Sequence, residues 1–189
     1  MTIDVYIAEA LRARGIKPAA PLVNLHETSD IWSDQRTLVV KVGYENSRYN
    51  YLSDLGVLSK AGVRCERPLV DDVIEIGDRH AIVVGFLAPD RPTRASDAEA
   101  VGLLLRDIHE ATLASDLYCP RGKDHVMFPD DWLAQNIIIH NGLPYLVDLD
   151  LWNDWNRETA ISLACDEFLQ QLPHDADDIA AFYRGYGAY

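Results

Sequence analysis

Residues 130–150, DDWLAQNIIIHNGLPYLVDLD, decide how this chain is read. Two apolar runs flank Asn141-Gly142, and both central residues of a type I′ turn need positive φ, which Asn and Gly tolerate best. The pair predicts a tight hairpin and fixes its register: His140 opposite Leu143, Ile138 opposite Tyr145, Ile137 opposite Leu146 and Asn136 opposite Val147. The open end of the hairpin then carries Asn136 beside Asp148. An amide oxygen next to a carboxylate is a hard-oxygen donor set suited to Mg²⁺, which leaves its other positions to water and phosphate oxygens. Asp131, at the far end of a short loop, reaches the same small volume.

Upstream, Ile3, Ile7 and Leu11 share a helical face that stops at Gly15. Strand-like runs follow at 22–26 and 37–42 (TLVVKV), joined by the polar ETSDIWSDQR. Tyr51, Leu52, Leu55 and Leu58 recur at helical spacing over 48–61, ending at Gly62. Two further strands, 72–76 and 80–86, flank a turn at Gly77-Asp78. The proline-rich 88–96 is a connector. Ser96 and Glu99 have the spacing of a capping box ahead of a helix over 97–114. The expected architecture is α+β: a small antiparallel sheet with one helix over 1–88, then a mostly helical part over 89–189.

The chain has 189 residues, 17 basic against 30 acidic side chains, and a formal charge of -13. Such a surface repels phosphodiester backbones, which argues against nucleic acid as the main partner; it would attract a cationic small molecule or a basic peptide, and it is also the plain solubility of an acidic protein. Cys65, Cys119 and Cys165 are odd in number and form no Cys-x-x-Cys pair, which argues against a disulfide framework or a zinc ribbon. With no signal-like N-terminus and no long apolar run, a cytoplasmic protein without membrane contact is expected. The histidines are scattered without zinc-ligand spacing, and His109 reads as packed against the 131–136 loop. Trp152 and Trp155 read first as core or lobe-packing aromatics and second as a wall for substrate, and HDADD (174–178) as a solvated helix start.

The spacing Asp131, Asn136, Asp148 resembles the catalytic core of the kinase-like fold, especially its aminoglycoside and choline phosphotransferase branch. There Asp-x-x-x-x-Asn precedes a hairpin and an Ile/Val-Asp-x-Asp element. The resemblance implies a two-lobed, shortened kinase-like fold with ATP, or another nucleoside triphosphate, and Mg²⁺ as cofactors. It implies Asp131 as the base or orienter of the attacking hydroxyl, and Asn136 and Asp148 as metal ligands, with Asp150 as a further carboxylate. Lys41 in TLVVKV would pair with the α- and β-phosphates, and the backbone of Gly85, Phe86 and Leu87 would face the adenine. The acceptor would be a hydroxyl of a small molecule or a protein.

The sequence also departs from that pattern. Pro129 stands where the family has a histidine before the catalytic aspartate, so support for the loop must come from elsewhere. ETSDIWSDQR, the expected phosphate-covering hairpin, has no glycine, although backbone N–H groups approach phosphate most easily where Cβ is missing. Tyr51 and Ser53 occupy the helix positions where a glutamate should meet Lys41, leaving Asp54 or Glu45 as substitutes. Only 41 residues follow Asp148 (189 minus 148), so the acceptor would be held by a reduced C-terminal part, which a second copy in a homodimer could complete. These departures motivate the rival reading, a pseudokinase that binds nucleotide or partners without efficient transfer. An interaction protein with neither ligand is the more distant alternative.

Overall fold

The computed structural model describes residues 2–26, 29–43, 45–118, 122, 124–129, 131–149 and 152–188. They form two compact units, Met1–Gly56 with Glu66–Ala88 and Val57–Cys65 with Pro89–Tyr189.

The first unit contains α1 (Ile3–Ala13), β1 (Val23–His26), β2 (Ser29–Ser33), β3 (Leu38–Gly43), most of α2 (Glu45–Lys60), β4 (Ile74–Ile76) and β5 (Arg79–Gly85). The strands make one antiparallel sheet in the order β1-β2-β3-β5-β4. Alternation along the strands sorts their side chains. Leu38, Val40 and Val42 of β3, Ile74 and Ile76 of β4, and Ala81 and Val83 of β5 bury against Ile7 and Leu11 of α1. Each fully buried aliphatic side chain contributes about 1.5–3 kcal/mol. Val39 and Lys41 are thereby turned to the other face.

Strand β2 is a correction, because 27–36 reads as a polar connector. Ser29–Ser33 instead joins the sheet, with Ile31 opposite Lys41 and Trp32 opposite Val40. Cross-strand packing outweighs local polarity there. Asp34 organises the following turn: its carboxylate accepts from the Thr37 hydroxyl and from the N–H groups of Arg36, Thr37 and Leu38. Burial pushes its pKa up, but those donors together hold it well below the usual carboxylate range.

The second unit contains α3 (Ala98–Leu113), β6 (His125–Pro129), β7 (Ile137–His140), β8 (Leu143–Leu146), β9 (Trp152–Asn156), α4 (Arg157–Leu169) and α5 (Ala176–Tyr186). Strands β7 and β8 pair with His140 opposite Leu143 and Ile137 opposite Leu146, the register that the Asn141-Gly142 turn dictates. Both turn residues have positive φ, 51° and 75°. The hairpin is braced on both sides. Asp90 donates its N–H to Ile139 O at 2.8 Å, and its carboxylate accepts from Gly142 N at 2.8 Å. Arg64 O accepts from Leu146 N at 3.0 Å.

Helices α3 and α5 cross at two glycines. A Cβ on Gly102 would meet Phe182 O, and one on Gly185 would meet Glu99 O, so neither helix could approach as closely with alanine. The capping box expected from Ser96 and Glu99 does not form. Instead the Asp97 carboxylate accepts from Arg94 N at 2.9 Å and is gripped by Arg91. Strands β6 and β9, which pair from His125–Asn156 to Pro129–Trp152, were not legible as strands. Trp155 is 38% exposed, which removes the core reading for that residue. Asp175 caps α5 through Asp177 N and Asp178 N, which accounts for the acidic helix start. Among the described residues no helix is long and apolar enough to cross a membrane.

Candidate functional site

In the first unit, Lys41 is 5% exposed, and its ammonium donates to Glu66 Oε1 at 2.8 Å and to Tyr51 Oη at 2.6 Å. The Tyr51 hydroxyl in turn donates to Glu66 Oε1. Glu66 is the carboxylate that sequence reasoning passed over in favour of Asp54 and Glu45. It lies beyond α2, in the extended GVRCERPLV segment. Its signal was the single acidic residue of that segment, which otherwise carries only the basic Arg64 and Arg67 among apolar residues. Burying an ion pair is tolerable only with good geometry and further hydrogen bonds, and Tyr51 supplies them.

Register places an apolar surface on the same sheet face as Lys41. Ile31 is opposite Lys41, Ser33 is opposite both Val23 and Val39, and residues two apart share a face. Val23 is 44% exposed, and Ile31 and Val39 are half-buried. At the end of β5, Gly85 N donates to Arg67 O at 2.8 Å and Phe86 N to Thr37 O at 3.1 Å. Those two amides are therefore spent inside the unit. Leu87, which follows them, has no backbone hydrogen bond among the described residues.

In the second unit, Asn136 is 8% exposed, and its Nδ2 donates to Asp131 O at 3.1 Å. That bond closes the 131–136 loop and fixes the amide, leaving Oδ1 without a hydrogen-bond partner among the described residues. Asn136 O accepts from Val147 N at 2.9 Å, which extends the hairpin pairing by one step and sets Asp148 next in line. Asp148 has φ 63°, a left-handed conformation rare outside glycine, and such outliers gather at functional sites. Asp131 itself is exposed. Asp150 lies outside the described residues. Among the described residues no group of three or more His, Cys, Asp or Glu is placed to hold a metal, and the pair that the sequence nominates, Asn136 and Asp148, is one amide and one carboxylate. That set fits Mg²⁺ with water and phosphate completing its shell.

With Pro129 in place of a histidine, the loop takes its support from α4: Trp132 N donates to Glu167 Oε2 at 2.9 Å. The Trp132 ring is fully buried, 6.2 Å from that of Phe128. His109, expected against this loop, makes its described contact with α5. Its Nδ1 lies 2.9 Å from Tyr186 Oη, which also accepts from Arg157 Nη1 at 3.0 Å. Burial, aided by the Arg157 charge, lowers the His109 pKa to about 3.

No protein-family model matches the sequence, and no curated protein matches it either. Solved structures do match in fold. An amicoumacin kinase, solved with AMP-PNP, Ca²⁺ and Ami, superposes with a TM-score of 0.75 at 13% identity, over 95% of this chain and 77% of that one. An aminoglycoside phosphotransferase from Streptomyces rimosus, in complex with ADP and streptomycin, gives 0.69 at 14%, over 100% and 93%. A choline kinase from Streptococcus pneumoniae gives 0.68 at 13%, over 97% and 79%. The chain has the kinase-like fold of the aminoglycoside and choline phosphotransferase type, in α+β form with a small antiparallel sheet and a reduced, mostly helical second part.

Proposed function

We propose that this protein is a phosphotransferase that moves the γ-phosphate of a nucleoside triphosphate to a hydroxyl of a small molecule. The observation that carries the reading is the hairpin register, which holds Asn136, its amide nitrogen already engaged, one step from an Asp148 in left-handed backbone. Asn136 Oδ1 and Asp148 would hold the metal, with Asp150 as a further carboxylate. Mg²⁺, when bound, would neutralise charge on the phosphate oxygens.

The remaining work falls to the chain's own groups, and in phosphoryl transfer it is mainly alignment and charge compensation. Lys41 donates to the phosphates and Asp131 accepts the hydrogen bond, then the proton, of the attacking hydroxyl. The half-exposed Val23, Ile31 and Val39 offer an apolar surface for a base, and Leu87, whose backbone has no backbone hydrogen bond among the described residues, offers its N–H and C=O to the base edge. The net charge of -13 favours a cationic acceptor, and the structural neighbours include a choline kinase and an aminoglycoside phosphotransferase.

Thermal stabilisation by ATP with and without Mg²⁺, followed by phosphate transfer to a panel of hydroxylated amines, tests this reading. Asp148→Ala should abolish turnover, and transfer at the wild-type rate in that variant would overturn the assignment. The second reading, a pseudokinase, is favoured by the missing glycines between Leu22 and Arg36. It predicts nucleotide binding without transfer to any acceptor.

A further inference from the structure

Tyr51 stands on α2 where the family pattern has a glutamate, and the contacts around it assign it more than packing. Resting on the phosphotransferase reading, we propose that Tyr51 is a positioning residue whose phenol fixes the aim of the Lys41 ammonium, while Glu66 supplies the compensating charge. Two tasks that one helix carboxylate would combine are divided here between a helix and an extended segment.

The four-carbon stem of a lysine lets its ammonium swivel. A contact at 2.6 Å to a ring with few rotatable bonds restricts that freedom. The phenol accepts from Lys41 and donates to Glu66, so it orders both partners at once. The ring is fixed in turn. Lys41 Nζ lies 4.7 Å from its centroid and the Arg48 guanidinium carbon 5.8 Å from it. Arg48 fits because Gly43, near the end of β3, has no side chain: a Cβ there would collide with Arg48 Nε and lie 2.7 Å from Nη2. Lys41, Tyr51, Arg48 and Glu66 are all at least nine-tenths buried. The cluster is therefore built rather than incidental.

Tyr51→Phe keeps the ring and removes only the hydroxyl, which separates aiming from packing. The first readout needs no activity. Acylation of Lys41 by acetic anhydride, followed by peptide mass spectrometry and normalised to the exposed Lys17 and Lys60, should accelerate about tenfold in the variant, the order expected for losing a charged hydrogen bond. In the second, KM for MgATP should rise by a similar factor with a smaller change in kcat, because the Lys41 contact is made in ground and transition states alike. Folded Tyr51→Phe with Lys41 reactivity and KM within twofold of wild type would overturn the proposal. If wild type shows no response to MgATP, the phosphotransferase reading fails and the acylation result alone decides the role of Tyr51. If the variant does not fold, wild type labelled with ¹⁵N at lysine Nζ decides it. A slowly exchanging Lys41 resonance with contacts to the Tyr51 ring is expected, and its absence would refute the assignment.

Discussion

Replacing His109 with phenylalanine should flatten the acid side of the stability curve. His109 is fully buried, and burial together with the Arg157 charge lowers its pKa to about 3, whereas a histidine in the unfolded chain titrates near about 6.5. Between those values the unfolded chain binds a proton that the folded chain refuses. The associated stability is thus complete above about pH 6.5 and drains as the pH falls toward the folded value. At about pH 5 the unfolded chain is favoured by about 1.5 pH units of proton binding, or about 2 kcal/mol. That is a large share of a total stability of about 5–15 kcal/mol. Urea unfolding of wild type and His109→Phe at about pH 7.5 and about pH 5 isolates the effect, because the other histidines are common to both proteins. The stability difference between them should shift by about 2 kcal/mol in favour of the variant at the lower pH. Parallel pH dependence would refute the reasoning, since it would mean that His109 takes up its proton in the folded state as easily as in the unfolded one.

Glu66→Ala removes a buried carboxylate partner of the Lys41 ammonium and should cost about 3–5 kcal/mol, read as a lower urea midpoint without nucleotide, while the apolar pair Lys41→Met with Glu66→Leu should recover most of that loss. Gly102→Ala drives a Cβ into the Phe182 carbonyl, so the variant should lose about 1–3 kcal/mol in thermal unfolding even though alanine is the better helix former. Glu167→Ala leaves Trp132 N without its acceptor and loosens the loop beside Asp131. Turnover should fall about tenfold while Glu167→Gln, which keeps an acceptor oxygen, stays closer to wild type in steady-state kinetics.

What could be read in the sequence was whatever is fixed by local chemistry. Asn141-Gly142 dictates its own turn and hence every pair up to Asn136–Val147, so the hairpin register followed from two residues. Lys41 could be placed on its strand by the β-branched run around it. Tertiary pairing was not legible. Ser29–Ser33 is too polar to announce a strand and becomes one only between β1 and β3. Strands β6 and β9 are separated by more than twenty residues that include the hairpin, so neither carries a turn signal for the other. Glu66 and Glu167 act on residues 25 and 35 positions away, at spacings that no helical or strand period would single out.

Those two carboxylates bear directly on whether the departures from the family pattern mean lost chemistry. Tyr51 and Ser53 in place of a helix glutamate would leave a phosphate-facing lysine without a counter-ion, and Pro129 in place of a histidine would leave the catalytic loop without an anchor. Both deficits are met from other elements: Glu66 pairs with Lys41 at 2.8 Å, and Glu167 holds Trp132 N at 2.9 Å. Burying a carboxylate is costly, so an ion pair kept at 6% and 4% side-chain exposure is hard to account for by stability alone, since an apolar pair would serve the fold as well. Support for the pseudokinase reading therefore narrows to the hairpin of β1 and β2 with its glycine-free sequence. On the proposed reading, a chain that keeps a buried lysine pair and would cover phosphates without glycine should be limited by nucleotide affinity more than by transfer. On that argument a raised KM for the nucleotide, with measurable kcat, is the kinetic signature that separates a weak-binding enzyme from a module that has given up catalysis.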